Sequence, residues 1–119
     1  MSMLPIDKTV EGLAGAMSLL QRRHEVLVSN VANLETPGYR ARELDFGDEL
    51  KAAFTDRVHA PAAPTPQIDP TAPARADGNS VDLDLQMAKL GQNGGRYTAL
   101  AKIMGMRLAL LRLAMEGSR

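Results

Sequence analysis

Cysteine is absent from the 119 residues, so neither a disulfide frame nor a thiolate metal site or nucleophile is available. Aromatic side chains are nearly as scarce. Tyr39, Phe46, Phe54 and Tyr97 are the whole set, which leaves any core to aliphatic residues and methionine. A surplus of one charge is missing too: fourteen basic residues balance fourteen acidic ones, and a nucleic-acid partner is not expected without a basic surplus. No run of about 18 residues, the length of a membrane-spanning helix, is free of charge. The opening MSMLPIDKTV has neither the basic n-region nor the apolar core of a secretory signal. If the chain leaves the cytoplasm, it must use a route that does not cleave such a signal.

What is present is unevenly spread. Five of the seven prolines fall within residues 58–76, a stretch with almost no large apolar side chain. Such a segment buries too little surface to offset its ordering entropy and is expected to stay extended or disordered. Residues 43–56 carry five acids against Lys51 alone, whereas Met87 to Arg119 carries six bases against Glu116 alone. Opposite patches of this kind attract within a subunit or between copies, or are simply two solvated faces. The chain thus divides into a flexible N-terminus (1–7), a helix (8–34), a turn and loop segment (35–57), the proline-rich linker (58–76) and a turn with a second helix (77–119).

Two apolar stripes define the helices. Ile6, Val10, Leu13, Met17, Leu20, His24, Leu27, Val31 and Leu34 alternate steps of four and three, a seven-residue repeat that predicts a helix from about Lys8 to Asn33. Met87, Leu90, Gly94, Tyr97, Ala101, Met104, Leu108, Leu111 and Met115 repeat the pattern and predict a helix from about Leu83 to Met115. Asp77-Gly78-Asn79-Ser80 reads as a turn before it, and Ser80, Asp82 and Asp84 suit a helix N-terminus. The fold class expected is all-α, a coiled-coil-like hairpin with an irregular middle. Its packing core would comprise Leu13, Met17, Leu20, Leu27, Val31, Met87, Leu90, Tyr97, Met104, Leu108 and Leu111. Gly91-Gln92-Asn93-Gly94-Gly95 conflicts with this, because three glycines cost roughly 3 kcal/mol relative to alanine and favour a kink or break. Leu100, Ile103, Leu110 and Leu113 lie off the stripe, so the second helix is apolar on more than one face and needs further neighbours. A lone hairpin gains roughly 1.5–3 kcal/mol per buried Leu or Met against about 1–2 kcal/mol of backbone entropy per ordered residue, so self-association is expected.

Reactive chemistry finds little support. His24 sits in a packing slot and His59 in the linker, with no ligand at metal-binding spacing. The glycine run has neither a preceding strand nor a following Gly-Lys-Ser/Thr, so it is not a phosphate loop. Asp82 and Asp84 fit the positive end of a helix dipole better than an acid–base pair. Lys102, Arg107 and Arg112, five residues apart, spread around the helix rather than along a lipid-facing side. No cofactor, no metal and no small-molecule substrate is expected, and the chain is not read as an enzyme.

The most distinctive stretch is Asn30-Val31-Ala32-Asn33-Leu34-Glu35-Thr36-Pro37-Gly38-Tyr39-Arg40-Ala41. Pro37 pushes Thr36 out of the helical region, and Gly38 can take the positive φ of a type II turn. Asn30 and Asn33 either satisfy carbonyls at the helix end or bond to a neighbouring subunit. This run, with Asp45-Phe46 and the later Asp77-Gly78-Asn79, Val81-Asp82-Leu83-Asp84, Met87 and Arg96-Tyr97, resembles the rod and hook proteins of the bacterial flagellar axis, most closely their proximal rod branch. The resemblance implies a structural rod subunit whose terminal helices pair in the rod core, exported by the flagellar type III apparatus to the basal body without a cleaved signal. It implies contacts with further copies, other rod proteins, the rod-base adaptor, and the export gate and membrane ring. The interaction residues it implies are Asn30, Ala32, Asn33, Thr36, Pro37, Gly38 and Tyr39. A cytoplasmic coiled-coil adaptor or export chaperone is the rival reading.

Overall fold

The computed structural model describes residues 5–45, 47, 51 and 65–117, with side chains from residue 8 onward. Residues 1–4 of the expected flexible N-terminus lie outside this range. So do Phe46, Phe54, His59, most of the acidic segment and the linker up to residue 64. Among the described residues the elements follow in the order helix α1 (Pro5–Ala32), strand β1 (Arg42–Glu43), strand β2 (Gln67–Ile68) and helix α2 (Leu83–Gly117). The fold is an all-α hairpin of two long helices, joined by a strap that contains a two-residue ladder.

Each helix end has a local cause. α1 stops where Thr36-Pro37-Gly38-Tyr39 closes a turn: the Tyr39 N–H donates to the Thr36 carbonyl at 3.2 Å, and Gly38 has φ +76°. Those are the marks of a type II turn. α2 starts at an N-cap, where the Asp82 carboxylate accepts from the Leu85 N–H at 3.2 Å and Asp84 lies in the first turn. α2 then runs unbroken through Gly91–Gly95, so the break suggested by three glycines does not occur. Contacts from α1, described below, hold Asn93 in the middle of that run. The described part of the linker is extended, one of the two states expected of it. From residue 65 it is not loose: Gln67 and Ile68 pair antiparallel with Glu43 and Arg42, and the Asp69 N–H donates to the Ala41 carbonyl at 2.9 Å.

The seam between the helices is turned by one residue at alternate positions from the frame that hydropathy suggests. Leu13, Ala16, Leu20, Arg23, Leu27 and Asn30 form the buried stripe of α1, where Met17, His24 and Val31 were expected beside the three leucines. On α2 the buried residues are Gln86 and Asn93, with Leu90, Leu100 and Met104 half-buried. Met87, Tyr97 and Leu108 are exposed on this chain, whereas Met17, Val31 and Leu111 are half-buried. The physical reason is that polar side chains occupy the inward positions. Arg23 and Asn30 are seven residues apart on one helix, as Gln86 and Asn93 are on the other.

Candidate functional site

Two turn motifs, some forty residues apart in sequence, meet back to back at the open end of α1. The Gly38 N–H donates to the Asp77 carbonyl and the Ser80 N–H to the Tyr39 carbonyl, both at 2.9 Å. The Ala41 N–H donates to the Ser80 hydroxyl at 2.7 Å. Gly78 has φ +82°, and a Cβ placed there would lie 3.3 Å from the Gly38 Cα. The Asn79 amide group faces three carbonyls of the α1 terminus and its turn: Asn33 at 2.9 Å, Leu34 at 3.1 Å and Thr36 at 2.7 Å. Its oxygen accepts from the Val81 N–H at 2.7 Å. Arg75 adds bonds to the Leu34 and Val81 carbonyls at 2.6 and 2.7 Å. The carbonyls that any helix leaves open at its C-terminus are thus met by side chains from the far side of the strap.

Below this junction a polar ladder joins the helices. The Asn30 amide donates to the Arg42 carbonyl at 2.7 Å and to the Gln86 side-chain oxygen at 3.0 Å. Its oxygen accepts from the Arg42 N–H at 3.0 Å and from the Tyr39 hydroxyl at 3.2 Å. An asparagine side chain has two donor and two acceptor positions, and here all four are filled within one chain. Two turns along, Asn93 donates to the Leu20 carbonyl at 2.8 Å and accepts from Arg23 at 3.3 Å. Arg23 also grips Glu43 with two nitrogens, at 2.8 and 3.1 Å. Lys89 approaches Glu43 at 3.0 Å and Asp69 at 3.8 Å. Burial alone would push the Glu43 carboxyl up, but the bonds from Arg23, Lys89 and the Leu44 N–H outweigh it and hold the pKa at about 2. Bonds from the Thr71 hydroxyl and N–H lower Asp69 as well. Among the described residues no buried side-chain nitrogen or oxygen lacks a partner.

A family described as flagella basal body rod protein matches residues 13–40, which span the α1 stripe and the Thr36–Tyr39 turn. The flagellar basal body rod protein FlgB of Salmonella typhimurium is 31% identical, over 94% of this chain and 96% of its own length. FlgB of Cereibacter sphaeroides is 33% identical over 87% and 91%, and FlgB of Proteus mirabilis 32% identical over 79% and 83%. The chain belongs to the FlgB family of flagellar basal body rod proteins.

That places this FlgB-family chain among structural components of the flagellar basal body rod. Among the described residues no group of three or more His, Cys, Asp or Glu could hold a metal, and no helix is long and apolar enough to cross a membrane. The motif residues fall into two sets. Asn30, Asn33 and Tyr39 turn inward or along the helix: Asn33 donates to the Ser29 carbonyl at 2.8 Å and accepts from the Thr36 hydroxyl at 3.1 Å. Ala32, Thr36, Pro37 and Gly38 lie on the surface. His24 is exposed rather than packed between helices. Reading the sequence missed the roles of Asn79, Arg75, Gln86 and Arg23, whereas the Glu43–Lys89 contact joins the acidic and basic patches whose attraction within a subunit was one of the expectations. Asn79 gave a signal only as part of a turn and of the family resemblance, and the seven-residue spacing of the buried polar residues emerges once Arg23 and Asn93 are allowed inside.

The two glycines of the junction differ in a testable way. Gly38 has open space where a Cβ would lie, so Gly38→Ala meets only the left-handed backbone cost of about 1–2 kcal/mol. Gly78→Ala meets that cost and also the Gly38 main chain. Urea unfolding followed by circular dichroism is expected to show Gly78→Ala as the more damaging change. Equal midpoints for the two variants would mean that the back-to-back contact has no energetic consequence.

Proposed function

We propose that this chain is a self-assembling structural subunit of the proximal rod, part of the axial shaft that links the membrane ring and export gate to the distal rod and hook. The observation that carries the reading is the far end of α2. Leu20 bonds across to Asn93 and Asn30 to Gln86, so the helices run antiparallel; fifteen residues back from Leu20, Pro5 falls opposite about residue 108 at equal rise. The last turns of α2 therefore extend past the described part of α1. At about 100° per residue, Ile103, Met106, Leu110 and Leu113 share one side, and Met104, Leu108, Leu111 and Met115 share another about 150° away. Met106, Leu110, Leu113 and Met115 are each more than half exposed. Apolar surface on two sides of one helix calls for neighbours on two sides, which suits an open-ended array better than a closed dimer.

On this reading the partners are further copies, the other rod proteins, the rod-base adaptor, and the export gate and membrane ring. The chain reaches the periplasmic rod through the flagellar type III apparatus without a cleaved signal, and it performs no catalysis. The polar ladder and the loop junction hold the hairpin in one register, while Ala32, Thr36, Pro37 and Gly38 offer their exposed surface to an adjacent subunit.

Leu110→Asp with Leu113→Asp tests this reading, because both side chains face solvent in the single chain. The parent is expected to form progressively larger species as concentration rises in sedimentation experiments. The double variant is expected to keep the helicity of the dilute parent, remain monomeric and fail to restore motility in a strain lacking its rod subunit. A discrete dimer at every concentration, untouched by the double change, would favour the cytoplasmic adaptor or chaperone instead.

A further inference from the structure

The chain has four asparagines, and only Asn93 is followed by glycine. We propose that Asn93-Gly94 is a self-modification site, at which the chain deamidates whenever α2 leaves α1, and that docking of the hairpin keeps the asparagine intact. The inference rests on the hairpin geometry and is independent of the assembly reading. In the reaction the Gly94 main-chain nitrogen attacks Asn93 Cγ and forms the new C–N bond of a succinimide ring. The Cγ–Nδ2 bond breaks, and ammonia leaves with the proton lost from the Gly94 amide. Water then opens the ring. Cleavage at the side-chain carbonyl gives aspartate; cleavage at the main-chain carbonyl gives isoaspartate. Glycine in the second position favours the attack, because no side chain obstructs the approach to Cγ.

Four features of the docked hairpin oppose it. The helix directs the Gly94 N–H toward the carbonyl four residues back. The Asn93 side chain is buried, its amide donates to the Leu20 carbonyl at 2.8 Å, and its oxygen accepts from Arg23 at 3.3 Å. Cγ is thereby fixed away from the Gly94 nitrogen. α2 provides little of this restraint by its own propensity, since Gly91, Gly94 and Gly95 all weaken it locally. Nor does packing within the chain demand those glycines: nothing lies within 4 Å of a Cβ placed on any of the three. The restraint is tertiary, and it vanishes when the helices separate. Either product then hinders return. Aspartate has no N–H for the Leu20 carbonyl, and isoaspartate adds a methylene to the main chain and breaks the helical hydrogen-bond spacing. A chain that has stayed open too long would carry a lasting mark at the rung that sets its register.

The test incubates the full chain in native buffer and in guanidinium chloride at one pH and temperature, followed by trypsin digestion. The fragment Leu90–Arg96 reports Asn93 by mass and isoaspartate content, and Ala76–Lys89 reports Asn79 as an internal comparison. Conversion at Asn93 is expected to be about tenfold or more faster in guanidinium than in native buffer, since only the opened fraction reacts in the latter. It is also expected to exceed conversion at Asn79. Gly94→Ala should slow it in guanidinium, and Arg23→Ala should speed it in native buffer. Equal native and denatured rates, or a guanidinium rate indifferent to Gly94→Ala, would overturn the proposal. An Arg23→Ala chain no faster than the parent would overturn the guarding role of α1.

Discussion

Replacing Asn79 by alanine is expected to cost about 2–3 kcal/mol and to fray the end of α1 together with the turn that follows it. The side chain is wholly buried, and its amide is shared among the carbonyls of Asn33, Leu34 and Thr36 while its oxygen holds the Val81 N–H. Alanine removes both functions at once. The Val81 N–H is then buried without a partner, at a cost of about 1–3 kcal/mol, and the Asn33 and Thr36 carbonyls each lose one of two bonds, keeping the Thr36 and Tyr39 N–H groups. Arg75 still reaches the Leu34 carbonyl, so the losses at Asn33, Thr36 and Val81 should dominate. Asn79→Asp is the sharper variant. It preserves the volume and the acceptor for Val81 but aims a carboxylate at three carbonyl oxygens, so it should be at least as damaging as alanine. Urea midpoints from circular dichroism, with amide exchange over residues 33–41, measure both. A loss below about 1 kcal/mol for Asn79→Ala would place the helix end under the control of Pro37 and Gly38 alone.

Helix existence, the stop at Pro37 and the positive φ at Gly38 were legible in the sequence, because each follows from one or two residues and local rules. The seam was legible only in part. Leu13, Leu20 and Leu27 were expected inside and are buried, yet the alternate slots belong to Ala16, Arg23 and Asn30 rather than Met17, His24 and Val31. An apolar repeat cannot recognise an inward arginine, because its burial depends on Glu43 and Asn93, which lie 20 and 70 residues away in sequence. The same holds for Gln86, buried because Asn30 receives it. Even the continuity of α2 through its glycines is a tertiary fact. Propensity argues for a break, and two bonds from α1 to Asn93 oppose it.

This arrangement explains why so small a hairpin can leave so much apolar surface outside. Among the described residues only a few apolar side chains are buried, most of them in α1, while the exposed large apolar residues concentrate on α2. Two helices that met through a purely apolar seam could slide or pair with copies in several registers. A ladder of Asn30–Gln86 and Arg23–Asn93, seven residues apart on each helix, leaves its donors and acceptors orphaned in any other register. Buried polar groups are best attested in just that registry role. The chain thus fixes its own fold with hydrogen bonds and keeps apolar surface available for neighbours.

Acidification is expected to open the clasp between the strap and both helices as Glu43 takes up a proton. Glu43 of the strap faces Arg23 on α1 and Lys89 on α2, with Asp69, just after the neighbouring strand, sharing Lys89. Its pKa lies at about 2 in the folded chain against an ordinary 4.5. A carboxylate lowered by folding contributes stability above its unfolded value, and that stability is lost as the pH falls through the folded one. The interval from about 4.5 to about 2 corresponds to about 3 kcal/mol, nearer about 2 once the partial exposure of the carboxylate is discounted. Asp69, also lowered, acts in the same direction. Glu43→Gln should therefore be less stable than the parent at neutral pH, because Arg23 and Lys89 lose their counter-charge, and the two stabilities should converge toward pH 2. Urea midpoints measured from neutral pH down through that interval test the point. If the parent and Glu43→Gln lose stability in parallel across it, the acid sensitivity of the hairpin belongs to other carboxylates and the clasp contributes little to holding the strap.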